Sequence, residues 1–211
     1  MNRRRPSIAT RSLPFTLVLA VLLALVVVGG AALWLNRTPV PVGPLVGTDI
    51  GGPFTLIDQD GRTVTDKTYD GRSRLVYFGY TYCPDVCPLD MQKLGKGLQL
   101  FRKADPARAA RVVALFITVD PARDTPAVLK TFVRAFDPQL IGLTGSEAQV
   151  AAVEKSFHVY ARRAGPATDK DYLVDHSAVL YLMGPDNKPI SFLSHDATPE
   201  AISAELAKYV Q

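Results

Sequence analysis

The sequence predicts an α/β fold in which helices cover both faces of a central sheet. Three observations lead there. Arg74-Leu75-Val76-Tyr77-Phe78-Gly79-Tyr80 and the stretch from Arg111 to Val119 are continuous apolar runs, the pattern of strands buried on both faces. Amphipathic helical repeats alternate with these runs, as in a sheet wrapped by its own connections. The region after the N-terminal segment, roughly 160 residues, is long enough to bury a core without disulfides or metal, so the two cysteines are not needed as staples.

The elements can be justified in order from the N-terminus. Residues 1–37 contain Arg3, Arg4, Arg5, Arg11 and Arg37 and no acid, while the 211-residue chain carries a formal +4. The body beyond them is therefore slightly acidic, and no basic excess is available to neutralise phosphates, which argues against nucleic-acid binding. Leu13 to Leu35 is an uncharged run of 23 residues. As a helix it reaches about 35 Å, enough for a hydrocarbon core of about 30 Å. Four arginines precede it and only Arg37 follows closely, which places the N-terminus in the cytoplasm and exports what comes after Asn36. The small residues from Val28 to Ala32 leave a cleaved signal peptide open as the competing reading, while Trp34 suits an interfacial anchor. The expected organisation is a basic tail at 1–12, a transmembrane signal-anchor at 13–35, a Pro/Gly linker at 36–53 and a folded domain at 54–211.

Within that domain, Phe54–Ile57, the Asp60-Gly61 turn and Arg62–Thr65 read as a hairpin. After the strand at 74–80, Leu94, Leu98 and Phe101 mark one helix face. Thr125-Pro126 is an N-cap with proline at N1, and Ser146 with Gln149 matches a capping box. Strands are expected around His158–Ala161, Ala178–Met183 and Ile190–Leu193, and Thr198-Pro199 opens a last helix. A β-α-β start, a late β-hairpin and a C-terminal helix follow the order of a thioredoxin-like fold, with an inserted helix-strand segment.

Cys83-Pro84-Asp85-Val86-Cys87-Pro88 lies between the first buried strand and its helix. A helix N-terminus favours anions and lowers thiol pKa, and the i, i+4 spacing keeps the two sulfurs together. A structural disulfide over so short a loop would remove little unfolded-state entropy. Of the three histidines, His158, His176 and His195, only His176 precedes a strand whose entry loop passes the cysteine pair in thioredoxin-like topology. No proline occurs between Pro166 and Pro185, so His176 stands where an oxidoreductase of that fold has a cis-proline. Two thiolates and one imidazole form a soft three-ligand set. Structural zinc wants a fourth ligand, whereas Cu(I), or Cu(II) with a weak extra ligand, suits three.

Three segments in this order resemble the Sco (SenC) family: Tyr80-Thr81-Tyr82-Cys83-Pro84-Asp85-Val86-Cys87-Pro88, Thr118-Val119-Asp120-Pro121-Ala122-Arg123-Asp124-Thr125-Pro126, and Tyr172-Leu173-Val174-Asp175-His176-Ser177. The resemblance implies a membrane-anchored, thioredoxin-like copper protein of the bacterial inner membrane with its domain in the periplasm. It carries copper ligation onto Cys83, Cys87 and His176. The implied role is copper delivery to the CuA-bearing subunit of cytochrome c oxidase, with another periplasmic copper chaperone or a thiol reductant as further partners. A thiol-disulfide reductase using Cys83 and Cys87 as a redox pair is the alternative, and a peroxiredoxin-like peroxidase and a copper sensor are further rivals. Asp120 and Asp124 read either as an acidic rim or docking surface near the copper loop, or locally, with Asp120-Pro121 ending a strand and Asp124 or Thr125 capping the next helix. Asp85 and Asp175 are candidates for tuning the site. The cluster Tyr77, Phe78, Tyr80 and Tyr82 reads as core and rim.

Overall fold

The computed structural model describes residues 15–35, 44–165 and 171–211. The expected basic tail at 1–12 and residues 36–43 of the expected linker lie outside the described residues. The chain divides into two units, 1–38 and 39–211. The first contains helix α1 (Phe15–Leu35), whose side chains are described only over 19–30, where all are exposed. Among the described residues no helix is long and apolar enough to cross a membrane.

The second unit is built on a seven-stranded sheet of order β2-β1-β5-β4-β3-β8-β9. Its strands are β1 (Thr55–Asp58), β2 (Thr63–Thr65), β3 (Ser73–Gly79), β4 (Val112–Thr118), β5 (Ile141–Thr144), β8 (Val179–Met183) and β9 (Pro189–Ser194). β3, β4 and β5 run parallel, while β1 against β5, β8 against β3, and the β1–β2 and β8–β9 hairpins are antiparallel. Every residue of β3 is buried, as its unbroken apolar run predicts. The helices are α2 (Val86–Ala104), the short α3 (Pro106–Ala109), α4 (Pro126–Arg134), α5 (Glu147–Ser156) and α6 (Pro199–Tyr209). Period-2 alternation sends Tyr77 of β3 toward α2, where its hydroxyl meets Asp90, and Phe116 of β4 toward Phe132 of α4. Phe78 points the other way, its ring 5.2 Å from that of Phe157 at the end of α5.

The expected caps form: Thr125, Ser146 and Thr198 each accept a backbone N–H of their own helix. Three features of the strands depart from the sequence expectations. β5 was not expected, yet it sits between β1 and β4. Its Gly142 admits α4 closely, since a Cβ there would stand 3.0 Å from Leu129 Cβ. The strand expected at His158–Ala161 begins only at Ala161, because His158 adopts φ 53° and turns the chain as α5 ends. That strand, β6 (Ala161–Ala164), pairs with an unexpected β7 (Leu173–His176), and the two form a separate sheet.

Candidate metal centre

The fold brings three chain segments to the C-terminal end of β3. The cysteine turn leaves β3 directly. β4 is parallel to β3 and ends beside it, and β8 is antiparallel, so the residues entering β8 arrive at the same end. Parallel strands expose their connecting loops there, the usual place for a site in an α/β sheet.

Cys83 lies in the turn before α2, and Cys87 is the second residue of that helix. The backbone N–H of Cys87 points at Cys83 Sγ over 3.4 Å, which is how an unsatisfied helix N-terminus receives a thiolate. Cys83 is half-buried and Cys87 fully buried, and both are free thiols. Gly79 makes the space: a Cβ there would stand 2.9 Å from Cys87 Sγ and 2.9 Å from Tyr77 Cε1.

His176 ends β7 and puts Nε2 3.2 Å from Cys87 Sγ. Its Nδ1 lies 3.1 Å from the Ser177 carbonyl oxygen, which can only accept, so the hydrogen is assigned to Nδ1 and the Nε2 lone pair is left for the sulfur side. The Tyr77 and Tyr80 rings meet the imidazole edge-on, with centroids 6.4 and 5.8 Å away. The ligand atoms of Cys83, Cys87 and His176 all lie within 4.8 Å of one another, and they are the one such cluster found among the described residues. The hydrogen bond from Cys87, aided by His176 and by the backbone of Cys87 and Asp85, outweighs burial and pulls the Cys83 thiol down to about 3. The same bond, together with burial, pushes the Cys87 thiol up. The pair therefore shares one proton, held mainly at Cys87. Behind Cys87, the Tyr77 hydroxyl donates to Asp90 over 3.0 Å, and burial raises the Asp90 carboxyl.

The other candidates fall elsewhere. His158 is exposed beside Asp49, and His195 is exposed beside Asp196. Asp85 and Asp175 face solvent, and Asp85 makes no side-chain cap bond to α2. Asp120 and Asp124 form no solvent rim, since both are buried. Asp120 follows the end of β4 as the local reading expects, and of the two expected caps it is Thr125, not Asp124, that caps α4. Asp124 accepts from the Thr81 N–H at 3.0 Å, the Thr81 hydroxyl at 2.6 Å and the Thr118 hydroxyl at 2.6 Å. Asp120 accepts from the Tyr172 hydroxyl at 2.6 Å and pairs with Arg123. Sequence reasoning overlooked Thr81, Arg123 and Tyr172. Each lies within a quoted segment, but only the tertiary contacts reveal its partner.

Comparison with known proteins matches this geometry. The SCO1/SenC family model covers residues 43–211. Protein SenC of Rhodobacter capsulatus is 45% identical over 154 residues, covering 73% of this chain and 67% of that one. Bradyrhizobium japonicum ScoI, solved with copper bound, is 46% identical with a TM-score of 0.68, covering 76% of this chain and 99% of that one. BsSco, a member of the Sco family of cytochrome c oxidase assembly proteins with an identified disulfide switch, is 27% identical with a TM-score of 0.59, covering 79% of this chain and 95% of that one. The chain spans about half to two thirds of the length of the first curated relatives it matches. With most of the chain under the family model and the cysteine pair and histidine converging in space, the chain belongs to the SCO1/SenC family.

Proposed function

We propose that this protein is a copper metallochaperone that holds copper through Cys83, Cys87 and His176 and delivers it to the CuA site of cytochrome c oxidase during assembly. The observation that carries the reading is the convergence of two sulfurs and one imidazole nitrogen within 4.8 Å. Soft thiolates with one imidazole suit copper. The low pKa of Cys83 presents a thiolate at neutral pH, so capture requires only the Cys87 proton to leave. Half-exposed Cys83 is the ligand an acceptor thiol reaches first, and transfer proceeds by ligand exchange from there.

In this reading residues 13–35 anchor the chain in the bacterial inner membrane, 1–12 stay cytoplasmic, 36–43 link, and the domain faces the periplasm. Confinement to the membrane that holds the oxidase raises the effective concentration of the two partners. The thiol asymmetry supports a second reading, a thiol-disulfide reductase that keeps the CuA cysteines reduced. The accessible Cys83 thiolate would attack a substrate disulfide, and the buried Cys87 would resolve the mixed disulfide.

An anaerobic Cu(I) competition titration of the full-length chain and its His176→Ala variant separates the two. Delivery predicts one tightly held copper per chain, weakened more than about 100-fold in the variant, beyond the usual effect of altering a ligand's supporting residue. Equal and feeble binding by both would sink the chaperone and leave the reductase.

A further inference from the structure

The histidine and the cysteines reach the site on separately built supports. Cys83 and Cys87 are fixed to the end of β3 and the start of α2. His176 rides on the β6–β7 hairpin, whose strands pair only with each other and not with the seven-stranded sheet. The sheet ladder reaches the hairpin only through the chain's entry into β8, so it places the end of β7 and leaves the rest of the hairpin to side chains.

One of these contacts is direct, the Tyr80 hydroxyl accepting from the Val174 N–H of β7 at 3.2 Å. The others come from one short loop. Residues 120–124 connect β4 to α4, and their side chains bond in two directions. Asp124, fully buried, grips the cysteine turn through both the N–H and the hydroxyl of Thr81, two residues before Cys83. It is fixed in turn by the Thr118 hydroxyl at the end of β4. Asp120 grips the hairpin by accepting from the hydroxyl of Tyr172, the residue before β7. Arg123 joins the two arms. It pairs with Asp120, its guanidinium lies 3.6 Å from the Tyr172 ring centroid, and it stands 4.7 Å from the ring of Tyr82, the neighbour of Cys83. Arg163 of β6 lies 3.5 Å from the same Tyr172 centroid, so the ring is held between two cations, one on each face. A charged hydrogen bond within a buried network is among the stronger contacts available to a loop.

We propose that Asp120, Arg123 and Asp124 are positioning residues that fix the separation of the cysteine turn and the histidine hairpin, acting through Thr81 on one side and Tyr172 on the other. They touch no ligand atom. Their effect is preorganisation: the imidazole is already beside the sulfurs when the metal arrives, so the cost of ordering the hairpin is met in folding. The inference rests on the copper reading for its consequence and on the hydrogen bonds alone for its structural content.

The test uses the full-length chain with Tyr172→Phe and Thr81→Val, each alone and each combined with His176→Ala. Cu(I) affinity is read by competition, and hydrogen exchange at residues 173–176 is read on the metal-free chain. Removing the Tyr172 hydroxyl is expected to weaken Cu(I) by about 10-fold or more. It should speed hairpin exchange while leaving β3 and β4 protected. In the His176→Ala background Tyr172→Phe should cost nothing further, since it acts through the imidazole. Thr81→Val should cost the same with or without His176, because it acts on the cysteine turn. An equal loss from Tyr172→Phe in both backgrounds would overturn the proposal, as would unchanged hairpin exchange. If the unaltered chain held no Cu(I), the copper reading would fall, and exchange on the metal-free hairpin would still decide whether the clamp exists.

Discussion

At Gly79 the chain runs between a sulfur and two aromatic rings: a Cβ would meet Cys87 Sγ and Tyr77 Cε1 at 2.9 Å and Phe116 Cε2 at 3.0 Å. None of the three can retreat easily. Tyr77 is tied to Asp90 through its hydroxyl, Phe116 stacks on Tyr77 and packs at a tilt against Phe132, and Cys87 is fixed by its place in the first turn of α2. The missing side chain is therefore part of the site, since it lets a fully buried sulfur face His176. Gly79→Ala is expected to destabilise the fold by about 1–3 kcal/mol, the usual cost of overpacking a filled core. It should also weaken Cu(I) binding by moving Cys87 Sγ away from the imidazole. Thermal melts and the same competition titration measure the two effects. A variant that melts lower but binds copper as before would show that the sulfur has room to adjust and that the glycine serves packing alone.

Among the elements, α5 carries an acid that its surroundings do not welcome. Glu154 lines a hollow of about 180 Å³ bounded by α5, Asp120 to Ala122, β6 and Tyr172. Burial alone raises its carboxyl from 4.5 to about 7. The unfolded chain loses this proton near pH 4.5 while the folded chain keeps it to about 7, so folding binds protons between those values. Stability should accordingly fall as pH rises from 5 to 7 and level off above. Glu154→Gln is expected to remove that slope and to stabilise the protein at pH 8 by on the order of 1 kcal/mol, after discounting for partial exposure. Denaturant midpoints at pH 5 and 8 give the answer, and a variant with an unchanged slope would assign the pH dependence to another group. The same scale shows how far sequence reading reaches. Buried strands and capped helices were legible because apolar runs and Thr-Pro or Ser-x-x-Gln signals are local. β5 was not, being four residues with a glycine, whose strand character comes from its neighbours. The candidate ligand set Cys83, Cys87 and His176 was legible because spacing and topology converge on it. The Asp124–Thr81 grip spans 43 positions of sequence and pairs residues whose local roles look complete.

For the molecule as a whole, the departure from expectation lies at residues 44–53. Four prolines and four glycines between Thr38 and Pro53 suggested an extended spacer. Instead Leu45 is buried and its N–H donates to the Ile190 carbonyl at 2.9 Å, while Pro44 bridges to Ser191 on edge strand β9. Gly51 donates to the Ser156 carbonyl at 2.8 Å, and Asn187 donates to the Gly52 carbonyl at 3.1 Å. Gly47, Gly51 and Gly52 take positive φ (87°, 96° and 152°), a backbone that a side chain would strain, and at Gly51 a Cβ would also stand 2.6 Å from Met183 Cε. A composition that reads as flexibility thus serves close packing along β9, covering an edge that would otherwise be open to pairing. Two soluble chains, one beginning at residue 43 and one at 54, should therefore differ. The shorter loses the buried leucine, on the order of 2 kcal/mol, and leaves β9 uncovered, so it should unfold at lower denaturant and associate more readily at high concentration. Coincident unfolding curves and equal sedimentation for the two chains would return residues 44–53 to the linker. The expected difference would place them in the domain, in line with a family match that begins at residue 43.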